Sequence, residues 1–282
     1  MGSATQGPGG GGVTIFAIVP VHNRIELTLQ FLDSLDAQVT DEAIEVFLVD
    51  DGSTDDTATV LSQRDGRFPV TVVPGTGNLW WAGSVKRALS VIRPLLADDD
   101  WVYLGNNDTV LDRRHMQVLI SSARANPNSV VGSISYEIWP DGSEHPVSSG
   151  FSIDAQRLAV EVLDGRDPGP SAADALAGRG LLLPARAVPH FRLFPHLMPQ
   201  HFADLAATSR LSRYGFRLLV NSDAQSTQTD RASSAQELGQ QLTLSWRKRS
   251  PLYIPAVASF WLLTLRPAEL VRALPAVLRP LR

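Results

Sequence analysis

The chain has 282 residues, 25 Lys and Arg against 29 Asp and Glu (net charge -4), no Cys, and 44% hydrophobic residues. That length exceeds a typical domain of about 100–200 residues and predicts one large α/β domain or a domain with an appendage. Absence of Cys excludes disulfides, thiolate nucleophiles and Cys-ligated zinc and fits a reducing compartment, the net charge argues against a general nucleic-acid binder, and 19% charged residues are too few for general disorder.

Met1 to Gly12 is Gly-rich without an apolar run and reads as a flexible tail; Gln6 stands where a myristoylation signal needs Ser or Thr. VTIFAIVPV (13–21) is a continuous apolar, β-branched run, as a strand buried on both faces requires. Ile25, Leu29, Leu32 and Leu35 then recur at helical spacing between Arg24 and Ala37. The alternation repeats as strand 44–49 and helix 54–63, strand 69–73 and helix 84–96, and strand 101–105 and helix 113–125. Four such units predict a parallel, doubly wound sheet with right-handed crossovers. Beyond it come short strands (130–138, 151–153, 157–163), a glycine loop leading into a strand and a helix start (178–188), a helix at 202–214 and a strand at 216–220. Residues 223–246 are polar and aperiodic, and predict a linker or mobile loop.

From Arg247 to Arg282 seven basic residues face one acidic residue, Glu269, a local +6. Taking 7 from 25 and 1 from 29 leaves 18 basic and 28 acidic residues, or -10, on the rest of the chain. The uncharged stretch 250–265 falls short of the ~20 residues that span a bilayer and carries Pro251 and Pro255. Basic residues flanking short apolar helices suit a segment lying on an anionic membrane surface; a helical pair packed on the main domain is the other reading.

In doubly wound sheets ligands bind beyond the carboxyl ends of the strands. Here those ends read HNR (22–24), DDGSTDDT (50–57), GTGNLWWAG (75–83) and NNDT (106–109), all polar or glycine-rich, which points to a nucleotide-like ligand. Asp50 and Asp51 offer acceptors to a base or ribose, while Ser53 or Asp55 would cap the following helix. Trp80 and Trp81, read as extended, would face opposite ways, one into the core and one walling a pocket. Lys86 and Arg87 would open the next helix, facing phosphate or solvent. Asp108, beside Asn106 and Asn107, supplies the hard oxygen ligand that Mg²⁺ or Mn²⁺ prefers, with Asp112 left to cap the next helix. Asp204, at a helix start three residues after His201, is a general-base candidate or a helix-dipole partner.

Taken in order, VPVHNR (19–24), VDDGSTDDT (49–57), GNLWWAGSVKRAL (77–89), YLGNNDTVLD (103–112) and GRGLLLPARAV with FPHLMPQHFADL (178–205) resemble the motifs of family 2 glycosyltransferases. The resemblance covers about 13–224, and the NND and WWAG forms are similar to a bacterial rhamnosyltransferase-like branch of cell-surface polysaccharide synthesis. It implies a GT-A fold, a mostly parallel sheet flanked by helices, over 13–230, after the tail at 1–12 and before a linker and basic helical segment at 231–282. It further implies that Pro20, Val21, Asn23, Asp50, Asp51, Gly77, Asn78, Trp81, Gly83, Lys86, Asn106 and Asn107 border the nucleotide sugar, and that Asp108 binds Mg²⁺ or Mn²⁺ on its diphosphate. Asp204 would be the catalytic base, and Gly178, Arg179, Gly180 and His201 would face the acceptor. The chain departs from the family in having Asn106 where many members have Asp, single-acid surroundings at Asp204, and no His in SDAQSTQ (222–228) after the last strand.

The implied reaction is inverting transfer of a sugar from a dTDP-, UDP- or GDP-linked donor to a glycan, expected to be lipid-linked, at the cytoplasmic face of the plasma membrane, with no nucleic-acid partner. A sugar nucleotidyltransferase and a catalytically silent scaffold are the rival classes; no glycine-lysine phosphate motif near the first strand supports the former.

Overall fold

The computed structural model describes residues 13–163, 167–229, 246–248, 250 and 252–277. The expected tail at 1–12, most of the expected linker at 230–245 and Arg249, Arg279 and Arg282 of the basic segment lie outside the described residues.

The first half alternates as expected: β1 (Thr14–Val21), α1 (Ile25–Asp36), β2 (Ala43–Asp50), α2 (Thr57–Ser62), β3 (Val70–Pro74), α3 (Trp80–Ile92) and β4 (Trp101–Leu104). β1 lies between β2 and β4, parallel to both, with β3 outside β2. Its unbroken apolar run has a direct cause: Phe16 and Ile18 enter one core with Val85 and Leu89 of α3, while Ile15, Ala17 and Val19 enter a second with Phe31 and Leu35 of α1. After β3 the chain crosses back over β1 to form β4. The sheet therefore reverses its strand order between β1 and β4, the place where such sheets open a crevice.

The second half is β5 (Thr109–Leu111), α4 (His115–Ala125), β6 (Ser129–Ile138), β7 (Glu144–Ser148), β8 (Gly150–Asp154), β9 (Ala159–Val162), β10 (Pro170–Ala172), β11 (Ala175–Leu176), β12 (Leu181–Pro184), α5 (Ala203–Ser209) and β13 (Arg217–Gln228). β12 inserts antiparallel between β4 and β6, and β13 runs parallel to β6. The sheet is thus mixed rather than wholly parallel, with a small second sheet of β11, β8 and β9.

Three local expectations need correction. α3 starts at Trp80, not Ser84, so the two tryptophans sit on a helix and Lys86 and Arg87 lie within it rather than opening it. Asp112 does not cap α4 with its side chain; its backbone carbonyl instead accepts from His115 N (2.9 Å) and Gln38 Nε2 (2.8 Å). Residues 223–228 are not linker but the end of β13, where Ala224, Ser226 and Gln228 are buried. Their polar side chains escape an apolar pattern because they are satisfied inside; Ser226 and Ser135 share a hydroxyl hydrogen bond of 2.7 Å.

At the carboxyl end, α6 (Ile254–Thr264) and α7 (Pro267–Val277) follow. Phe260 is fully buried, its ring 5.0 Å from that of Phe202, and Arg213 donates to the Thr264 carbonyl at 2.6 Å. The segment therefore packs on the domain through α6, while Leu262 and Val271 stay largely exposed. No described helix is long and apolar enough to cross a membrane.

Candidate active site

The loops after β1, β2, β3 and β4 meet at the crevice. Asp51, which follows β2, is buried and accepts four backbone N–H groups from the loop after β3: Thr76 (3.2 Å) and Gly77 (2.8 Å) on Oδ1, Leu79 (2.7 Å) and Trp80 (3.0 Å) on Oδ2. The Leu79 and Trp80 amides are ones that a helix start leaves unpaired, and a carboxylate there also complements the helix dipole. Asp51 thus caps α3 from another strand. Gly52 permits this approach, since a Cβ on it would lie 2.9 Å from Gly77 Cα.

Neighbouring side chains are similarly engaged. Asp50 Oδ1 accepts from Ser53 N (2.9 Å), and Asn23 Oδ1 accepts from Thr54 N (2.7 Å). Ser53 Oγ accepts from Asn23 N (2.8 Å), and Asp55 accepts from Thr57 N (3.2 Å) at the start of α2. Asn107 Nδ2 donates to Thr28 Oγ1 on α1 (3.0 Å). Asn23, Arg24, Trp80 and Phe202 all hold positive φ, between 57° and 64°. Such conformations cost about 1–3 kcal/mol each and mark sites that the surrounding structure holds in place.

Trp81 lies on the buried side of α3 and donates from Nε1 to Asn106 Oδ1 at 3.1 Å. Two residues on, the buried Asp108 contacts Arg179 Nη2 through Oδ2 at 3.4 Å, and Arg179 also donates to Gln228 Oε1. Oδ1 of Asp108 is buried without a hydrogen-bond partner. A buried acceptor without a donor is costly unless a cation or ligand meets it. No cluster of three His, Cys, Asp or Glu side chains exists among the described residues, so a Mg²⁺ or Mn²⁺ ion would depend on Asp108 and on phosphate oxygens, the pattern such ions accept.

Asp204 stands at the first turn of α5. Its Oδ2 accepts from Gly178 N (2.7 Å) and Oδ1 from Leu205 N (2.9 Å). Burial raises its pKa above the ordinary 3.8, opposed by those two amides and by the His201 charge. Gly178 touches both Asp204 and Trp81: an added Cβ would lie 2.2 Å from Trp81 Cζ2 and 3.2 Å from Asp204 Cβ. The Trp81 indole is therefore bounded by Gly178, which carries Asp204 on its N–H, and by Asn106, two residues before Asp108.

The sequence pattern described as Glycosyl transferase family 2 matches residues 16–178, more than half of the chain. The chain belongs to this family. An N-acetylglucosaminyl-diphospho-decaprenol L-rhamnosyltransferase of Mycobacterium tuberculosis is 30% identical over 125 residues, 42% of this chain and 39% of that protein. The match thus spans about two-fifths of that relative's length. Among solved structures, GalNAc-T7 with UDP, GalNAc and Mn²⁺ superposes with a TM-score of 0.62 at 11% identity, over 77% of this chain and 44% of that one. TarS 1-349 of S. aureus in complex with UDP-GlcNAc gives 0.60 at 14% identity, over 93% and 72%. At these identities the likeness is one of fold, and it is the GT-A fold.

Within this family 2 chain, Trp81, Asn106, Asp108, Gly178 and Asp204 come together. Val21 is buried, Gly83 lies on α3, and Lys86 is exposed on the outer face of that helix. Arg179, expected at the acceptor, contacts Asp108, and Gly180 donates its N–H to the Leu104 carbonyl (2.9 Å) within the sheet. Two residues escaped sequence reasoning. Gln228 orients Arg179 from the end of β13, and Gln200 Oε1 accepts from Trp81 N at 3.3 Å. Gln228 falls in the stretch noted for lacking His, but nothing local marks a glutamine as reaching a site.

Proposed function

We propose that the chain is an inverting, divalent-metal-dependent glycosyltransferase that moves one sugar from a nucleotide-sugar donor to a lipid-linked glycan in cell-surface polysaccharide synthesis. The observation that carries this reading is the meeting of Asp204, Gly178, Trp81 and Asn106 in a family 2 chain, with Asp108 two residues after Asn106 and in contact with Arg179 next to Gly178. Asp204 takes the proton of the attacking acceptor hydroxyl. An ordinary carboxyl is far more acidic than a sugar hydroxyl, so this transfer comes late; the burial that raises the Asp204 pKa narrows the gap. Gly178 N and Leu205 N hold the carboxylate in place. Trp81 walls the sugar site, with Asn106 fixing its ring. Asp108 would hold Mg²⁺ or Mn²⁺, which supplies positive charge to the leaving diphosphate. Arg179 lies beside it as a second cation.

The lipid-linked acceptor is supported by the mycobacterial relative, whose name specifies a diphospho-decaprenol substrate. Exposed Leu262 and Val271, beside Arg266 and Arg272, support a peripheral position on an anionic membrane face. A panel of dTDP-, UDP- and GDP-sugars tested with Mg²⁺, Mn²⁺ or EDTA, against polyprenyl-diphosphate-GlcNAc, tests the reading. It expects metal-requiring transfer with inversion at the anomeric carbon. Retention, released pyrophosphate, or donor binding without turnover on any acceptor would replace it.

A further inference from the structure

A second concavity lies on the other side of α3 from Trp81. Its volume is ≈ 440 Å³, and its walls are the outer face of α3 with Trp80, Lys86 and Arg87, the 195–199 loop with His196 and Pro199, and Lys248 near the chain's end. The lining contains no carboxylate. Among the described residues, Lys86, Arg87, His196 and Lys248 form no ion pair. Lys86, Arg87 and Lys248, without acidic partners on a chain whose residues 1–246 sum to -10, constitute a local anion-attracting field.

The groove is built rather than incidental. The Pro199 carbonyl accepts Ala82 N (2.9 Å) and Gln200 Oε1 accepts Trp81 N (3.3 Å), so the 195–200 loop is fastened to the start of α3. That loop runs directly into α5 and Asp204. The indole of Trp81 reaches Gly178, while its neighbour Trp80 lines the groove. The 195–199 wall of the groove therefore leads along the chain to Asp204, while α3 lies between the groove and the Trp81–Asn106 pair.

We propose that this groove binds the diphosphate of the acceptor, placing its phosphate oxygens on Lys86, Arg87 and Lys248 while the attached sugar extends past Trp80 toward Asp204. The proposal deepens the transferase reading and rests on it. It also moves Lys86 from the donor's phosphates to the acceptor's. Phosphate oxygens accept charge-assisted hydrogen bonds from ammonium and guanidinium groups of this kind, and a diphosphate needs several cations at once.

The test compares the full-length wild type with Arg87→Ser, Lys248→Ser and their double variant. Binding is measured on phosphatidylcholine vesicles containing polyprenyl diphosphate, and on vesicles carrying the same surface charge as phosphatidylglycerol. The double variant should bind the diphosphate vesicles about tenfold or more weakly, with a much smaller loss on phosphatidylglycerol vesicles and inorganic pyrophosphate competing only with the wild type. Its KM should rise for a diphosphate-linked acceptor and stay constant for a phosphate-free glycoside of the same sugar. An equal loss on both vesicle types would overturn the proposal in favour of a general headgroup surface. Undiminished binding to diphosphate vesicles would also overturn it. Because the vesicle measurement needs no turnover, it stands even if the transferase reading fails, and a nucleotide-sugar thermal shift in the same variants reports the donor site separately.

Discussion

Gly178→Ala probes how closely the site is assembled. The new Cβ would start 2.2 Å from Trp81 Cζ2 and 2.6 Å from Cη2. Ordinary carbon contacts need roughly 3.5 Å, so ring and loop must separate by more than an ångström. Overpacking of this kind costs about 1–3 kcal/mol. The displaced indole also strains its 3.1 Å bond to Asn106, and the loop movement pulls Gly178 N from Asp204. A shift near 1 Å at a catalytic group lowers turnover by about 10²-fold. The assay is kcat/KM for sugar transfer together with denaturant unfolding, in Gly178→Ala, Trp81→Phe and the double variant. A phenyl ring stops short of the atoms that the Cβ meets, so the alanine should cost much less stability in the Trp81→Phe background. Unaltered activity and stability in Gly178→Ala, or the same penalty in both backgrounds, would refute the packing argument.

Other expectations concern charge. If Asp204 is the base, kcat/KM falls as pH drops through its raised pKa, so the acidic limb should lie above 3.8; a limb at or below that value would contradict the burial argument. The same shift means that the folded chain binds this proton more readily than the unfolded chain, so stability from this group grows as pH falls, and Asp204→Asn should remove that component from unfolding measured at pH 7 and pH 4.5. His115 has the opposite sign. Buried between Tyr103 Oη (3.1 Å) and the Gln225 carbonyl (2.8 Å), it is held neutral with its pKa lowered from 6.5 to about 4 by burial. The unfolded chain takes up the proton that the folded chain refuses, so about 2–3 kcal/mol should be lost between pH 7 and pH 4.5; an equal loss in His115→Gln would contradict this. Asp108→Ala should abolish the stabilisation that Mn²⁺ adds to donor binding in a thermal shift while leaving the apo melting temperature within a few degrees, and a retained Mn²⁺ effect would remove Asp108 as the ligand.

The order of elements was readable wherever burial was apolar and local. β1 is buried on both faces and reads as an unbroken hydrophobic run, and α1 buries Ile25, Leu32 and Leu35 at helical spacing. The start of α3 was not readable, because Leu79 provides no side-chain cap and the acceptor comes from Asp51 on another strand. The end of β13 was hidden for a related reason: Ser222, Ser226 and Gln228 are buried polar residues whose partners are distant in sequence. In the site, Asp204 and Asp108 could be singled out from residue type and position. Arg179 could be placed in the site but not on Asp108, since that depends on how the 178–180 loop crosses the end of β13. The C-terminal helices were legible as short and apolar, whereas their seating on α5 through Phe260 is a tertiary choice among several exposed apolar side chains.

The most direct test of the account is sugar transfer to a polyprenyl-diphosphate-linked acceptor by wild type and Asp204→Asn, with donor affinity measured in both. The account predicts metal-dependent transfer by the wild type, a loss of at least about 10²-fold in kcat for the variant, and donor binding unchanged between them. Full turnover by Asp204→Asn would contradict it.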